Sequence, residues 1–320
     1  MNKKSVFAVG VFVLFAVSIF ATWTFRYDFY DWFRLRNYTP TPAIASLATT
    51  SGMNSQGRTL FYVNDPKLSD RQEFANQCKV KEQTIVLGCY TGTGIYIFDV
   101  TDERLKGVEE VTAAHEMLHA AYDRLSPGEK KKIDALTQAA YDKLKDPELA
   151  KRIDGYKKTE PGEIPNELHS ILGTEKRNIG SELEEYYKKY FTDRLKVVSL
   201  AENYEKVFID IQNQVQQYDA TLSLRKVEID QREKALETRA SQLQQQRNSL
   251  DAQLAAKDYR GYNNSVPNYN YAVASFNAEL AAVKKLIAEY NTIVEQRNKL
   301  AADQDSLAQS LDSRLDTIKQ

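Results

Sequence analysis

The chain has 320 residues, and its 43 Lys and Arg residues nearly balance its 44 Asp and Glu residues, giving a formal net charge of −1 at pH 7. This balance argues against a nucleic-acid-binding protein, because contacts to phosphates need an excess of positive charge. Hydrophobic residues make up 42% of the sequence, but they are spread unevenly. A very apolar start, a mixed middle and a final third rich in Gln, Ala, Leu and Asn predict three parts with different structures.

The N-terminal part has the features of a membrane anchor. After a short tail at residues 1–4, residues 5–25 are uncharged and mostly apolar, and about 20 such residues are enough to cross a bilayer as a helix. No small-x-small cleavage site follows them, so we expect an uncleaved transmembrane helix, with a cleaved signal peptide as the alternative. Residues 26–55 are expected to form a juxtamembrane linker. Basic residues flank the apolar segment on both sides, so charge alone leaves its orientation open.

Three short segments rich in β-branched and aromatic residues follow, at residues 59–63, 84–87 and 94–100. We expect these segments to form strands. Residues 90–94 contain two glycines and predict a hairpin between the last two strands. The result would be a small antiparallel sheet whose free edge can hold an extended peptide as an added strand. The alternative, compatible with the first, is that the sheet only covers the apolar face of the next helix.

Two cysteines occur in the whole sequence, Cys78 and Cys89, on either side of the second predicted strand. Cysteines so close in sequence can form a disulfide if this domain lies outside the cytoplasm, and two free, half-buried thiols are the alternative. Together with the apolar N-terminal segment, the pair favours a single-pass membrane protein whose main domain is extracytoplasmic.

The centre of the sequence contains the motif His-Glu-x-x-His, formed by His115, Glu116 and His119. Apolar residues recur at helical spacing from Val108 to Leu125 without Gly or Pro, so the motif lies on a predicted helix. Residues i and i+4 share one face of a helix, so both imidazoles can bind one Zn²⁺, and Glu116 is placed to take a proton from a zinc-activated water. The alternative is an exposed helix with two incidental histidines.

Two of the helices predicted after the motif have clear start or end signals in the sequence. A capping box at residues 126–129 begins the first of them, and residues 166–172 are expected to form the second, ending at Gly173. The second helix matters because a catalytic zinc site needs three protein ligands and one open position, and the motif supplies only two ligands.

With these features, residues 59–191 resemble the zincin metallopeptidases, and among them the gluzincins such as the thermolysin-like enzymes, whose third ligand is a glutamate on a later helix. The resemblance implies that His115 and His119 bind Zn²⁺, that Glu116 is the general base, and that Glu167 in an Asn-Glu pair is the third ligand. It also implies that the reaction is peptide hydrolysis by a zinc-activated water and that the substrate is a protein or peptide.

Several details of this resemblance stay open. The spacing from His119 to Glu167 is longer than in the thermolysin-like enzymes, so no close family follows. His169 and Glu175 are alternative third ligands, although His169 and Glu167 are two positions apart on a helix and therefore diverge by about 200°. The candidates for the residue that stabilises the oxyanion are His169, Tyr186 and Tyr187.

The final third has the pattern of a coiled coil. Hydrophobic residues recur every seven positions from Phe208 to Leu250 and again from Leu286 to Leu307. Residues 257–267 contain Gly and Pro and are expected to break the helix between these two runs. Residues 194–320 are therefore predicted to form an antiparallel helical hairpin. The alternative is pairing between chains, as a homodimer or with another coiled-coil partner.

Together these features predict an α+β fold, in which a small antiparallel sheet packs on a helical, zincin-like metallopeptidase domain at residues 56–193. One transmembrane helix precedes this domain and the coiled-coil hairpin follows it. The expected function is that of a membrane-anchored zinc metallopeptidase. The alternative is a non-catalytic, membrane-anchored scaffold that binds its partners through the same domain and the coiled coil.

Overall fold

The computed structural model describes residues 25–78 and 86–314. The chain divides into two compact units, Met1–Val207 with Leu307–Gln320 and Phe208–Ser306. In chain order, the described α-helices are α1 (Arg26–Leu35), α2 (Pro42–Thr50), α3 (Ser55–Val63), α4 (Arg71–Gln77), α5 (Val108–Asp123), α6 (Pro127–Leu144), α7 (Pro147–Thr159), α8 (Ile164–Thr174), α9 (Ser181–Tyr187), α10 (Arg194–Ala255) and α11 (Tyr259–Leu311). The described strands are β1 (Lys67–Ser69), β2 (Gly88–Tyr90) and β3 (Ile95–Phe98).

The predicted α+β class is wrong, because 78% of the described residues are helical. The sheet has three short strands in the order β1, β3, β2. β1 pairs with β3 in parallel and β2 pairs with β3 antiparallel, so the sheet is mixed rather than antiparallel. The hairpin predicted at residues 90–94 is present between β2 and β3. The sheet also contains β1, which we did not identify from the sequence.

The segment predicted as the first strand, residues 59–63, forms the second half of the helix α3. The side chain of Asn54 accepts a hydrogen bond from the backbone N–H of Gly57 and so caps the start of this helix. The apolar side chains of α3 are buried in the main core. A short apolar run fits a buried helix as well as a strand, and here the cap and the burial together favour the helix.

A disulfide joins Cys78, next to the end of α4, to Cys89 in the middle of β2. Beneath it, Phe74, Phe98 and Cys78 form a small buried cluster separate from the main core. Of the two alternatives that the sequence left open for the cysteines, the disulfide is therefore the one present. It fixes β2 to α4 on the side of the strand that faces this small cluster.

The main core surrounds α5, the helix that carries the His-Glu-x-x-His motif and packs against α2, α3, α8 and the sheet. α5 and α8 approach each other closely at Gly173, where an added Cβ would be 2.4 Å from Leu118 Cδ1 and 2.8 Å from Tyr187 Cε1. Gly173 lies inside α8, which continues to Thr174. The prediction that Gly173 ends the helix is therefore wrong, and its role is to allow this close packing.

Arg194, the first residue of α10, caps the C-terminal end of α8. Its guanidinium donates hydrogen bonds to the backbone carbonyls of Leu172 and Lys176 and forms an ion pair with Glu184. A cation at this position satisfies carbonyls that have no partner within the helix and complements the helix dipole. Because Arg194 is only 5% exposed, its hydrogen bonds hold α8 in place from within the core.

The second unit is a hairpin of two long helices, as predicted. α10 has 62 residues and α11 has 53. Ion pairs join Arg232 on α10 to Glu279 on α11, and Asp219 on α10 to Arg297 on α11, so the two helices run antiparallel. The buried side chains of the repeat between them include Ile229, Leu236, Leu250, Val283 and Leu286.

The helix break predicted at residues 257–267 is much shorter than expected. Lys257 adopts a left-handed conformation with φ +62° at the turn, and α11 begins at Tyr259 and contains Pro267 in its interior. A proline removes one backbone hydrogen bond from a helix. The continuous helix shows that packing along the hairpin outweighs this local effect.

The end of α11 belongs to the first unit. Leu307 and Leu311 are buried, and the hydroxyl of Ser313 donates a hydrogen bond of 2.6 Å to the backbone carbonyl of Val86. Val86 lies just before β2 in the sequence. The residues that follow α11 are therefore attached to the segment that leads into the strand β2.

The predicted single-pass membrane localisation is contradicted. Within residues 25–78 and 86–314, no helix is both long enough and apolar enough to cross a membrane. The two longest of these helices are rich in charged residues, and the apolar helix α5 has 16 residues, fewer than the roughly 20 that a bilayer requires. The transmembrane segment predicted at residues 5–25 falls, apart from Phe25, outside the described residues.

Replacing Gly173 by Ala tests the close packing of α5 and α8. We expect Gly173→Ala to lower the free energy of unfolding by about 1–3 kcal/mol, because an extra methyl group must displace buried side chains. Chemical denaturation followed by near-UV circular dichroism measures this change. Gly155→Ala is the matched control, since an added Cβ there meets no atom within 4 Å and Ala favours a helix over Gly. Equal stability of Gly173→Ala and the parent protein would contradict the packing argument.

Candidate metal centre

The His-Glu-x-x-His motif lies in the interior of the first unit. Of the 16 residues of α5, 12 are buried. The helix begins after Gly107, which has a left-handed φ of +103°, and Glu109 and Glu110 lie in its first turn, where negative charge complements the helix dipole. This burial excludes the alternative of an exposed helix with two incidental histidines.

The structure brings the two histidines of the motif together with Glu167. His119 Nε2 lies 3.4 Å from Glu167 Oε1, and His115 Nε2 lies 3.6 Å from Glu167 Oε2. Two ligand atoms that each lie about 2.0–2.1 Å from a tetrahedral zinc ion are themselves about 3.4 Å apart. The separations of the three side chains therefore match those of ligands around one metal ion.

The carboxylate of Glu167 has the surroundings expected of a ligand for a cation. Its Oε2 atom is buried and makes no hydrogen bond with any described residue, and an unpaired buried carboxylate oxygen is strongly unfavourable. Burial raises the pKa of Glu167, but the two imidazoles outweigh burial and hold the pKa at about 2. The group is therefore ionised, and a divalent cation would supply the partner that Oε2 lacks.

Two neighbours on α8 orient the ring of His119. The Nδ1 atom of His119 lies 3.0 Å from Asn166 Oδ1 and 3.3 Å from Ser170 Oγ. Because the amide oxygen of Asn166 can only accept, the proton of His119 is on Nδ1. Nε2, which lies on the Glu167 side of the ring, is then the nitrogen available to bind a metal ion.

Glu116 lies beside the same group of atoms. It is 5% exposed, and one of its carboxylate oxygens lies within 4.8 Å of a ring nitrogen of His115 and of a ring nitrogen of His119. The backbone N–H of Tyr90 in β2 donates a hydrogen bond to it. Burial raises the pKa of Glu116 to about 7, in contrast to the ionised Glu167. A carboxylate with a pKa near neutrality suits proton transfer, whereas Glu167 suits a ligand.

The other predicted site residues lie away from this group. Burial lowers the pKa of His169 to about 3, and its Nε2 atom lies 2.9 Å from the hydroxyl of Tyr186. The hydroxyl of Tyr187 donates to the backbone carbonyl of His169 at 2.6 Å. Glu175 is held by two hydrogen bonds from Arg152, of 2.9 and 3.0 Å. The structure therefore joins neither His169 nor Glu175 to the histidine pair, and both tyrosine hydroxyls are engaged elsewhere.

Four residues that lie at the site were not predicted from the sequence. Asn166 and Ser170 are four positions apart, and Asn166 precedes Glu167, so helical spacing alone could have placed both near the metal. Gly88 and Tyr90 carry no comparable signal. Their position beside Glu116 depends on how β2 packs on α5, which is a contact between segments far apart in the sequence.

Comparison with protein-family models, with curated proteins and with solved structures finds no match to this chain. The resemblance to the zincins therefore rests on the motif and on the geometry of the site.

Removing the candidate ligands one at a time tests the metal centre. We expect Glu167→Ala to weaken Zn²⁺ binding by more than about 100-fold, because even the loss of a residue that orients a ligand lowers affinity by about 10–100-fold. Asn166→Ala is expected to fall in that lower range. Isothermal titration calorimetry of the metal-free protein, with a competing chelator, measures each affinity.

Glu175→Gln is the matched control for these variants, because it also removes a buried carboxylate, at the C-terminal end of the same helix, while leaving the histidine pair intact. Its affinity is expected to equal that of the parent protein. Unchanged zinc affinity in Glu167→Ala would show that Glu167 is not the third ligand. A large loss of affinity in Glu175→Gln would contradict the assignment as well.

Proposed function

We propose that this protein is a zinc-dependent metallopeptidase. The observation that carries the proposal is the approach of His115 Nε2 and His119 Nε2 to the two oxygens of Glu167, at 3.6 and 3.4 Å, with Glu116 buried beside them. A set of two histidines and one glutamate is that of catalytic zinc sites with an open fourth position. A purely structural zinc site has no need of a fourth, titratable carboxylate next to its ligands.

In this proposal the chain's own residues divide the chemistry between them. His115, His119 and Glu167 would hold the ion, which when bound polarises the scissile carbonyl and lowers the pKa of the attacking water. Glu116 accepts the proton of that water and passes it to the leaving amine. Its raised pKa allows both steps near neutral pH, since a group with a pKa near 7 can both accept and release a proton there.

The edge of the sheet supports a peptide as the substrate. In the pairing of β2 with β3, Phe98 N–H bonds to Leu87 O and Thr91 N–H bonds to Gly94 O. Because hydrogen-bonded residues alternate along an antiparallel pair, the backbone groups of Gly88 and Tyr90 point to the other side of β2. No other described strand pairs with that side. An extended peptide that pairs there with Gly88 would lie beside Glu116, whose carboxylate already accepts the hydrogen bond of the Tyr90 N–H.

The competing proposal is a non-catalytic scaffold in which the hairpin Phe208–Ser306 binds partners. The length of that hairpin favours it, but it gives no reason for the buried Glu116 next to the histidine pair. The two proposals differ in what they require of one carboxylate, so a single substitution separates them.

Glu116→Gln keeps the size and burial of the side chain and removes its ability to accept a proton. We expect kcat for hydrolysis of unfolded protein or of a quenched fluorescent peptide to fall by about 10²- to 10⁴-fold. Zinc content, measured by atomic absorption, should stay at the level of the parent protein. Glu110→Gln, the same change elsewhere on α5, is the control and should retain activity. If the zinc-loaded parent cleaves neither substrate, the peptidase proposal fails and the scaffold replaces it.

A further inference from the structure

We propose that Gly88 is a positioning residue for Glu116: the absence of a side chain at this position lets β2 lie against α5 so that the Tyr90 amide holds the Glu116 carboxylate. The kinetic consequence of this placement rests on the proposed peptidase function. The placement itself is a property of the fold and can be measured without activity.

The space around Gly88 is filled by α5. An added Cβ would lie 2.5 Å from Thr112 Cγ2, 2.7 Å from Glu116 Oε1 and 2.8 Å from Glu116 Cγ. All three distances are well below the contact distance of about 3.5–4.0 Å between non-bonded carbon atoms. Gly88 does not have a positive φ, so its backbone conformation is open to any residue. The requirement for glycine here is therefore steric, and it comes from Thr112 and from Glu116, the general base of the proposed reaction.

β2 is not free to move away from α5 to make room. Its central residue, Cys89, is bound to Cys78 by the disulfide, and the strand pairs with β3 along its length. The carbonyl of Val86, two residues before the strand begins, accepts the hydrogen bond from Ser313. A side chain at position 88 would therefore act mainly on the two α5 residues that it meets, Thr112 and Glu116.

Tyr90 completes the arrangement. Its N–H is on the side of β2 that does not pair with β3, and the Glu116 carboxylate accepts the hydrogen bond from it. Because this amide has no partner in the sheet, its protection from hydrogen exchange reports directly on the contact with Glu116. The amides of β3 act as an internal reference, because they pair within the sheet.

The steric effect on Thr112 can be separated from the effect on Glu116 by a second substitution. The hydroxyl of Thr112 donates to the carbonyl of Val108 at 2.8 Å, and a serine can make the same hydrogen bond. Thr112→Ser therefore removes only the methyl group that lies closest to the added Cβ. In the double variant Gly88→Ala/Thr112→Ser, the remaining clash is with Glu116.

The experiment compares the parent protein with Gly88→Ala/Thr112→Ser, Thr112→Ser and the control Gly155→Ala. NMR-detected hydrogen exchange is measured on each metal-free protein, and zinc content, kcat and KM are measured on each zinc-loaded protein. Glu116→Ala, which lacks the acceptor, sets the exchange rate of an unbound Tyr90 amide.

We expect the double variant to fold and bind zinc as the parent does, while the protection of the Tyr90 amide falls about tenfold, to the Glu116→Ala level. The β3 amides should keep their protection. With the general base displaced, kcat should fall by about 100-fold with little change in KM, and both single controls should resemble the parent.

A Tyr90 amide that stays protected in the double variant would overturn the inference, and so would an amide whose protection does not depend on Glu116. Failure of the peptidase proposal looks different. In that case the parent itself shows no hydrolysis, while the exchange rates of the Tyr90 amide still decide whether Gly88 positions Glu116.

Discussion

The close contact between α5 and α8 is the constraint on which the candidate site depends. α5 supplies both histidines and Glu116, and α8 supplies Glu167 together with Asn166 and Ser170, which orient His119. The carboxylate oxygens of Glu167 reach both imidazoles only because the two helices nearly touch at Gly173. A larger separation would leave ionised and polar groups buried without partners, which is among the most unfavourable arrangements in a protein interior.

The same burial gives the two carboxylates of the site different roles. Glu167 faces two imidazoles and stays ionised, whereas Glu116 lies against Gly88 of β2 and has a pKa raised by burial to about 7. Two identical chemical groups a few ångströms apart thus differ in pKa because their surroundings differ. This difference, rather than the motif alone, separates the expected ligand from the expected base.

The features that local sequence determines were predictable. The helix of the motif, the capping box of Ser126 and Glu129 and the long hairpin all follow from spacing within one segment. The fold class was not, because residues 59–63 form a helix rather than a strand and β1 pairs with a distant segment. The need for glycine at Gly88 and Gly173 could not be predicted from local sequence either. Each is required by a neighbour that is close in space but distant in the sequence.

The long helices are joined to the site at both of their ends within the first unit. Arg194, which begins α10, caps the end of α8 and thereby supports the helix that carries Glu167. Ser313, just after α11, binds the carbonyl of Val86 next to β2, the strand that lies against Glu116. The first residue of α10 therefore supports the helix of the proposed ligand, and the segment after α11 supports the strand beside the proposed base. The residues that hold the candidate centre in shape thus extend past the predicted boundary at residue 193, because the first turn of α10 and the last turn of α11 are part of its packing.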